Sequence, residues 1–85
     1  MLNIELGNPA KRFLKNCDTK LYERLMERIK KLAIEPFPQE VKRVVARREK
    51  IFRVRVGDYR IQYAVLNDKN TILITDVDKR PRAYD

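Results

Sequence analysis

The stretch Ile51-Phe-Arg-Val-Arg-Val-Gly-Asp-Tyr-Arg-Ile-Gln-Tyr-Ala-Val65 decides how the rest of the chain is read. Two runs of β-branched and aromatic residues flank Gly57-Asp58, which marks a tight hairpin with glycine at the first turn position. With those two residues as the turn, Val56 faces Tyr59, Arg55 faces Arg60, Val54 faces Ile61, Arg53 faces Gln62 and Phe52 faces Tyr63. Successive side chains point to opposite sides of a sheet. Phe52, Val54, Val56, Tyr59, Ile61 and Tyr63 then share a core face, where both tyrosines are expected to pack. Arg53, Arg55, Arg60 and Gln62 share the other face. Like charges set opposite one another destabilise a sheet, so three crowded guanidinium groups imply a negatively charged partner.

On the amino-terminal side, Leu2-Asn-Ile-Glu-Leu6 alternates apolar and polar and reads as a short strand that Gly7 ends. Asn8 and Pro9 supply an N-cap and a first-turn proline for a helix from Pro9 to about Asn16, with Ala10, Phe13, Leu14 and Cys17 as its apolar residues. Asp18 caps a second helix reaching Ile34. Its stripe is Leu21, Leu25, Ile29 and Leu32, widened by Tyr22, Met26 and Ala33. Lys20, Arg24, Glu27, Arg28 and Lys31 form the opposite side, with Glu27 and Lys31 spaced for an ion pair. Pro36 and Pro38 stop this helix. Val41–Arg47 is a weaker strand candidate, followed by a turn at 48–50.

On the carboxyl-terminal side, Asn67-Asp-Lys-Asn70 makes a polar turn and Thr71–Val77 returns as the last strand. Pairing Leu66 with Thr71 places Ile72 and Ile74 on the core face beside Val65 and Tyr63. It also carries Asp76 onto that face opposite Ile61, which a bulge near the strand end or a basic partner would resolve. The tail from Lys79 to Asp85 has no further element to join. The order β-α-α-β-β-β-β predicts one α+β domain over residues 1–85, a small and mostly antiparallel sheet with a two-helix hairpin packed on one face.

Composition narrows the function. No run of about 18 apolar residues is available to span a membrane, and Met1-Leu-Asn-Ile-Glu5 lacks the basic-then-apolar order of a secretory signal. One cysteine and no histidine leave neither an internal disulfide nor a Cys/His metal set. A cytoplasmic protein without metal or cofactor is expected, with Cys17 a buried, inert thiol. The net charge of +8 divides unevenly, +2 over residues 1–40 and +6 over 41–85. A highly charged thermophile surface would account for the excess. It would not account for the asymmetry, which points to a polyanion or an acidic protein partner.

The element order, together with Phe52-Arg-Val-Arg-Val-Gly-Asp-Tyr-Arg-Ile-Gln-Tyr63, Asp76-Val-Asp-Lys-Arg80 and Tyr84, resembles the RelE/ParE superfamily of toxin–antitoxin toxins, most closely its RelE branch. That resemblance implies an endoribonuclease that enters the ribosomal A site, cuts mRNA there and is neutralised by a RelB-type antitoxin in a higher-order complex. It assigns Arg60 and Arg80 to the scissile phosphate. It assigns Tyr84 to activating the ribose 2′-hydroxyl or stacking on a base. Arg53 and Arg55 fall where the best-known members carry lysine, and these two with Lys79 and Arg82 are the RNA-binding candidates. Arginine cannot act as a general base, so lysine-based proton transfer is not carried over.

Cleavage by an adjacent 2′-hydroxyl requires stabilisation of a phosphorane, and one positioned donor is worth about 3–4 kcal/mol. Arg60 and Arg80 would supply that term, in an enzyme that borrows its geometry from the ribosome. Two alternatives use the same fold: a ParE-like inhibitor of DNA gyrase, and a catalytically weak relative that binds antitoxin and nucleic acid. Arg53 and Arg55 also read as a solvated strand face that discourages edge pairing, and Tyr84 as a frayed terminus.

Overall fold

The hairpin forms in the register that alternation dictates. In the computed structural model, which describes residues 1–44 and 50–79, Phe52–Val56 pairs antiparallel with Tyr59–Leu66, and Arg55 lies opposite Arg60. Gly57 has φ +59°, and among the described residues only Asn70 joins it at positive φ. A two-residue turn with positive φ at its first position alone matches the twist of the flanking strands. The far end of the Arg24 side chain sits 2.9 Å from where a Cβ on Gly57 would lie and can swing aside, so it is the backbone conformation that favours glycine.

Around the hairpin the described elements run β1 (Asn3–Leu6), α1 (Asn8–Asn16), α2 (Thr19–Ile34), β2 (Lys42–Arg43), β3 (Phe52–Val56), β4 (Tyr59–Leu66) and β5 (Thr71–Lys79). The sheet order is β1-β5-β4-β3-β2, antiparallel except for β1, which runs parallel to β5. A single 3-10 turn over Asn67–Lys69 links β4 to β5, closed by Asn70 in the left-handed conformation. None of these helices is long and apolar enough to cross a membrane.

Three element boundaries and the placement of one side chain differ from the sequence expectation. Helix α1 begins at Asn8 with Gly7 in the cap position and no side-chain cap bond. Gly7 is there because the chain crosses β5 closely, with its N–H donating to the Ile74 carbonyl at 2.8 Å. A Cβ on Gly7 would come within 3.2 Å of that same oxygen. Of the candidate strand at 41–47, Lys42–Arg43 forms strand among the described residues, and residues 45–49 lie outside the described set. Strand β5 extends two residues further, to Lys79. Tyr22 is exposed rather than part of the stripe.

The second helix starts as expected, with the Asp18 carboxylate accepting from the Leu21 N–H at 2.8 Å. The Glu27–Lys31 pair forms at 3.5 Å on the exposed side. Leu25, Ile29, Leu32 and Ala33 of α2, with Ala10 and Leu14 of α1, close over Val54, Ile61, Tyr63, Ile72, Ile74 and Val77 of the sheet. Phe13 meets Tyr59 edge-on at 5.8 Å. Cys17 is half-buried, with its thiol donating to the Leu14 carbonyl at 3.4 Å. Burial, then the Asp18 charge, pushes that thiol's pKa up, which disfavours the thiolate form.

Asp76 does not enter the core. The β4–β5 ladder shifts between Gln62 and Tyr63, so Tyr63 pairs with Ile74 while Gln62 pairs with Asp76, leaving Thr75 as the extra residue of a bulge. Ile61 therefore meets Val77, which is 2% exposed. A bulge, and not a basic partner, removes the conflict.

The connection after α2 is held by three contacts, two to the sheet and one back to α2. The buried Tyr63 hydroxyl donates to the Pro36 carbonyl, Phe37 packs edge-on against Phe52 at 5.0 Å, and Arg28 pairs with Glu40. Arg28, expected on the solvent side of α2, is thus drawn into a structural contact. Hydrogen bonding, from its own backbone and then from Arg28, lowers the Glu40 carboxyl pKa.

Two outcomes follow for stability. Gly57→Ala should destabilise the fold by roughly 1–2 kcal/mol, the cost of holding an L side chain at left-handed φ, read as a lower denaturant midpoint at unchanged m-value. Burial raises the Tyr63 pKa from 10.0 to about 12, the Arg28 charge opposing and the Glu40 charge reinforcing it. The unfolded chain ionises first as pH rises, so this stabilisation is complete below pH 10 and is lost as pH climbs towards 12. Tyr63→Phe should flatten the melting-temperature profile over that window and cost about 1 kcal/mol at neutral pH through loss of its hydrogen bond.

Candidate functional site

The three hairpin arginines project from the sheet face opposite the helices. Their neighbours in sequence, Val54 and Ile61, are 2% and 0% exposed on the core side, and this fixes the alternation. The scaffold beneath them is rigid because β4 is paired on both sides, by β3 and by β5.

The guanidinium groups do not simply crowd together. Arg60 turns towards β5, where its Nε donates to Asp78 Oδ1 at 2.8 Å and its Nη2 donates to Asp78 Oδ2 at 3.3 Å. This side-on pairing is possible because the bulge makes Asp78 the direct cross-strand partner of Arg60. The side chains are 22% and 38% exposed, so solvent screens the pair and its contribution to stability is modest, about 0.5–1 kcal/mol. Its larger effect is geometric, since two donors to one carboxylate fix the plane of the group.

Arg55 lies where β2 no longer covers β3, as β2 pairs only with Phe52 and Arg53. There it borders a groove of about 390 Å³ with Arg24, Glu27, Arg28, Lys31, Glu40 and Val56, between the sheet edge and α2. The directly opposed pair Arg55 and Arg60 thus diverges, one side chain to each flank, which relieves the repulsion the register creates. Arg53 is half-buried and pairs across to Gln62. Basic side chains consequently occupy the face and its β3 edge.

Lys79, expected among the RNA-binding residues, lies on the other side of the sheet. It pairs with Tyr59 at the end of β5 and lines a hollow of about 600 Å³ with Arg12, Phe13, Leu21 and Val77 beneath the α1–α2 junction. The bulge sets this orientation, because Val77 inward and Asp78 outward send Lys79 inward again. Arg80, Arg82 and Tyr84 lie outside the described residues.

Asp78 is the residue that sequence reasoning missed. A signal was present: an unbroken β5 would send both Asp76 and Asp78 to the core and Val77 to solvent. One inserted residue corrects all three. A second patch on the outer face, continuous with the first along β4 and β5, is more apolar. Ile51, Ala64, Leu66 and Leu73 line it with Gln62, Thr75 and Asp76 around a hollow of about 400 Å³. The face therefore offers guanidinium groups at one end and aliphatic surface at the other. Such a surface suits a phosphate backbone or an acidic, amphipathic protein segment.

Comparison with known proteins gives this surface a family. Residues 4–84 match the model of the ParE toxin of type II toxin–antitoxin systems. The chain is 33% identical over 85 residues to the RelE1 protein of Methanocaldococcus jannaschii, covering 96% of this chain and 93% of that one. A chain of the archaeal RelE–RelB complex from Pyrococcus horikoshii superposes with a TM-score of 0.79 at 26% identity, over 95% of this chain and 97% of the other. The intact Escherichia coli RelBE complex contains a chain of the same fold, with a TM-score of 0.82 at 15% identity, over 96% and 100% of the two chains. The chain belongs to the RelE/ParE superfamily of type II toxin–antitoxin toxins, in its RelE branch.

Proposed function

We propose that this toxin is a metal-independent endoribonuclease that works in the cytoplasm, cuts mRNA in the ribosomal A site and is silenced by a RelB-type antitoxin. The observation that carries the proposal is the outer sheet face, with no helix over it among the described residues, on which Arg55 lies directly across from Arg60 and Arg53 stands two residues along the same strand. Membership of the RelE branch and likeness to chains from RelE–RelB complexes support both the activity and the partner.

In this reading Arg60 and Arg80 stabilise the negative charge that develops on the phosphorane as the 2′-oxygen attacks in line. Tyr84 orients or activates the 2′-hydroxyl. Arg53, Arg55 and Arg82 grip flanking phosphates. Lys79 drops out of that grip because its side chain lies on the helix-bearing side. The antitoxin would cover the same face, meeting the guanidinium groups with carboxylates and the aliphatic end with apolar side chains.

Purified toxin added to ribosomes programmed with a defined mRNA should produce new 5′ ends within the A-site codon. Arg60→Ala should lower the cleavage rate by about 10²–10³-fold. Arg53→Ala should instead weaken binding to programmed ribosomes and reduce its salt dependence, with the rate at saturation largely retained.

The match to a ParE toxin model favours a second reading, inhibition of DNA gyrase. Supercoiling inhibited by the toxin, with mRNA left intact on the ribosome, would replace the first reading with this one.

A further inference from the structure

We infer that Asp78 is a positioning residue for the reaction: it holds the Arg60 guanidinium so that its far edge meets the scissile phosphate. The inference rests on the mRNA-cleavage reading and adds to it a residue outside the arginine–tyrosine set.

Three observations carry it. Asp78 takes Nε and Nη2 of Arg60 side-on, at 2.8 and 3.3 Å. Side-on pairing turns the opposite, Nη1-bearing edge of the planar group away from the carboxylate, and that edge with Nη2 presents a second fork suited to two phosphate oxygens. The two residues are also direct cross-strand partners on the outer face, so strand geometry sets their separation and no loop has to close to bring them together. The contact requires the Thr75 bulge, without which Asp78 would point to the core.

A long arginine side chain loses rotamer freedom when it grips a phosphate, and a partner that has already fixed its plane removes that cost from the reaction. A carboxylate beside a cation also has an opposite effect, since it cancels charge that would otherwise attract the phosphate. The two effects predict opposite outcomes when Asp78 is removed, which makes the inference testable. Positioning requires cleavage to slow although binding to RNA is unchanged or tighter. Cancellation alone requires cleavage to hold or to quicken.

The experiment is single-turnover cleavage of mRNA on programmed ribosomes by wild type, Asp78→Ala, Asp78→Asn, Arg60→Ala and the Arg60→Ala/Asp78→Ala double variant. The side chain of Asp78 is 38% exposed, so truncation leaves no sealed cavity, and thermal melts of each variant check folding directly. Asp78→Ala should lower the rate at saturating toxin by about 10–100-fold, with an unchanged or lower half-saturating concentration. It should add nothing in the Arg60→Ala background, because it acts through that side chain. Asp78→Asn keeps an oxygen to accept from Nε and should recover part of the rate.

An Asp78→Ala variant as fast as wild type, or one whose loss adds to that of Arg60→Ala, would overturn the inference alone. An Asn variant as slow as Ala would show that the carboxylate charge, and not an acceptor that fixes the plane of the guanidinium, carries the effect, and would also overturn the positioning role. Wild-type toxin that cuts nothing on the ribosome would remove the cleavage reading, and this inference with it.

Discussion

One extra residue in β5 governs what each sheet face presents. Up to Ile74 the strand follows the register set by Leu66 opposite Thr71. Beyond Thr75 every position is reversed relative to an unbroken ladder. An unbroken strand would set Asp76 against Ile61 and Asp78 against Tyr59, burying carboxylates among apolar side chains at a cost on the order of several kcal/mol each. The bulge instead sends Val77 inward and both carboxylates outward. It also meets the start of α1, since Gly7 donates to the Ile74 carbonyl and lies against the Thr75 backbone. The β1–α1 junction, the packing of the last core residue and the outer-face ion pair therefore share one backbone irregularity.

The cations of the carboxyl-terminal half are distributed around that arrangement rather than gathered at a point. Two arginines directly across a strand pair would repel, and each side chain leans towards a different flank. Arg60 meets Asp78 on β5, and Arg55 reaches the margin that borders α2. Arg55 also stands on the part of β3 beyond β2, where a charged side chain hinders strand addition by another chain. The basic surface thus combines an oriented group near the sheet centre with an exposed one at its margin. The first suits contact with a single phosphate, and the second suits contact with a backbone passing along the edge.

How much of this was legible depended on whether strand periodicity held. The hairpin was fully readable because Gly57-Asp58 fixes the turn and ten flanking residues alternate without interruption, so each pair from Phe52–Tyr63 to Val56–Tyr59 follows. The α2 stripe was readable for the same reason at helical spacing, with Asp18 marking its start. Asp78 was hidden because alternation fails within β5, where the sequence shows an awkward Asp76 but not the position of the inserted residue. Tyr22 and Arg28 misled because helical spacing alone does not say where the stripe meets the sheet or what the segment after the helix touches. The parallel partner of β1 was not readable, since a strand of four residues carries no mark of the strand it joins.

The described outer face is better equipped to stabilise charge than to move protons. Arginine holds its proton throughout the accessible pH range. The carboxylate nearest to Arg60 has both oxygens committed to it, an arrangement suited to holding a group in place. A surface of this kind lowers the barrier only for a substrate already near the in-line conformation, because electrostatic stabilisation acts on the transition state and does not bend a flexible strand into it. On the cleavage reading, the ribosome would supply that conformation by fixing the codon, and the toxin would supply the oriented cation. The bulge then has a functional consequence as well as a structural one, for it is what brings Asp78 to Arg60 and gives that cation a fixed plane.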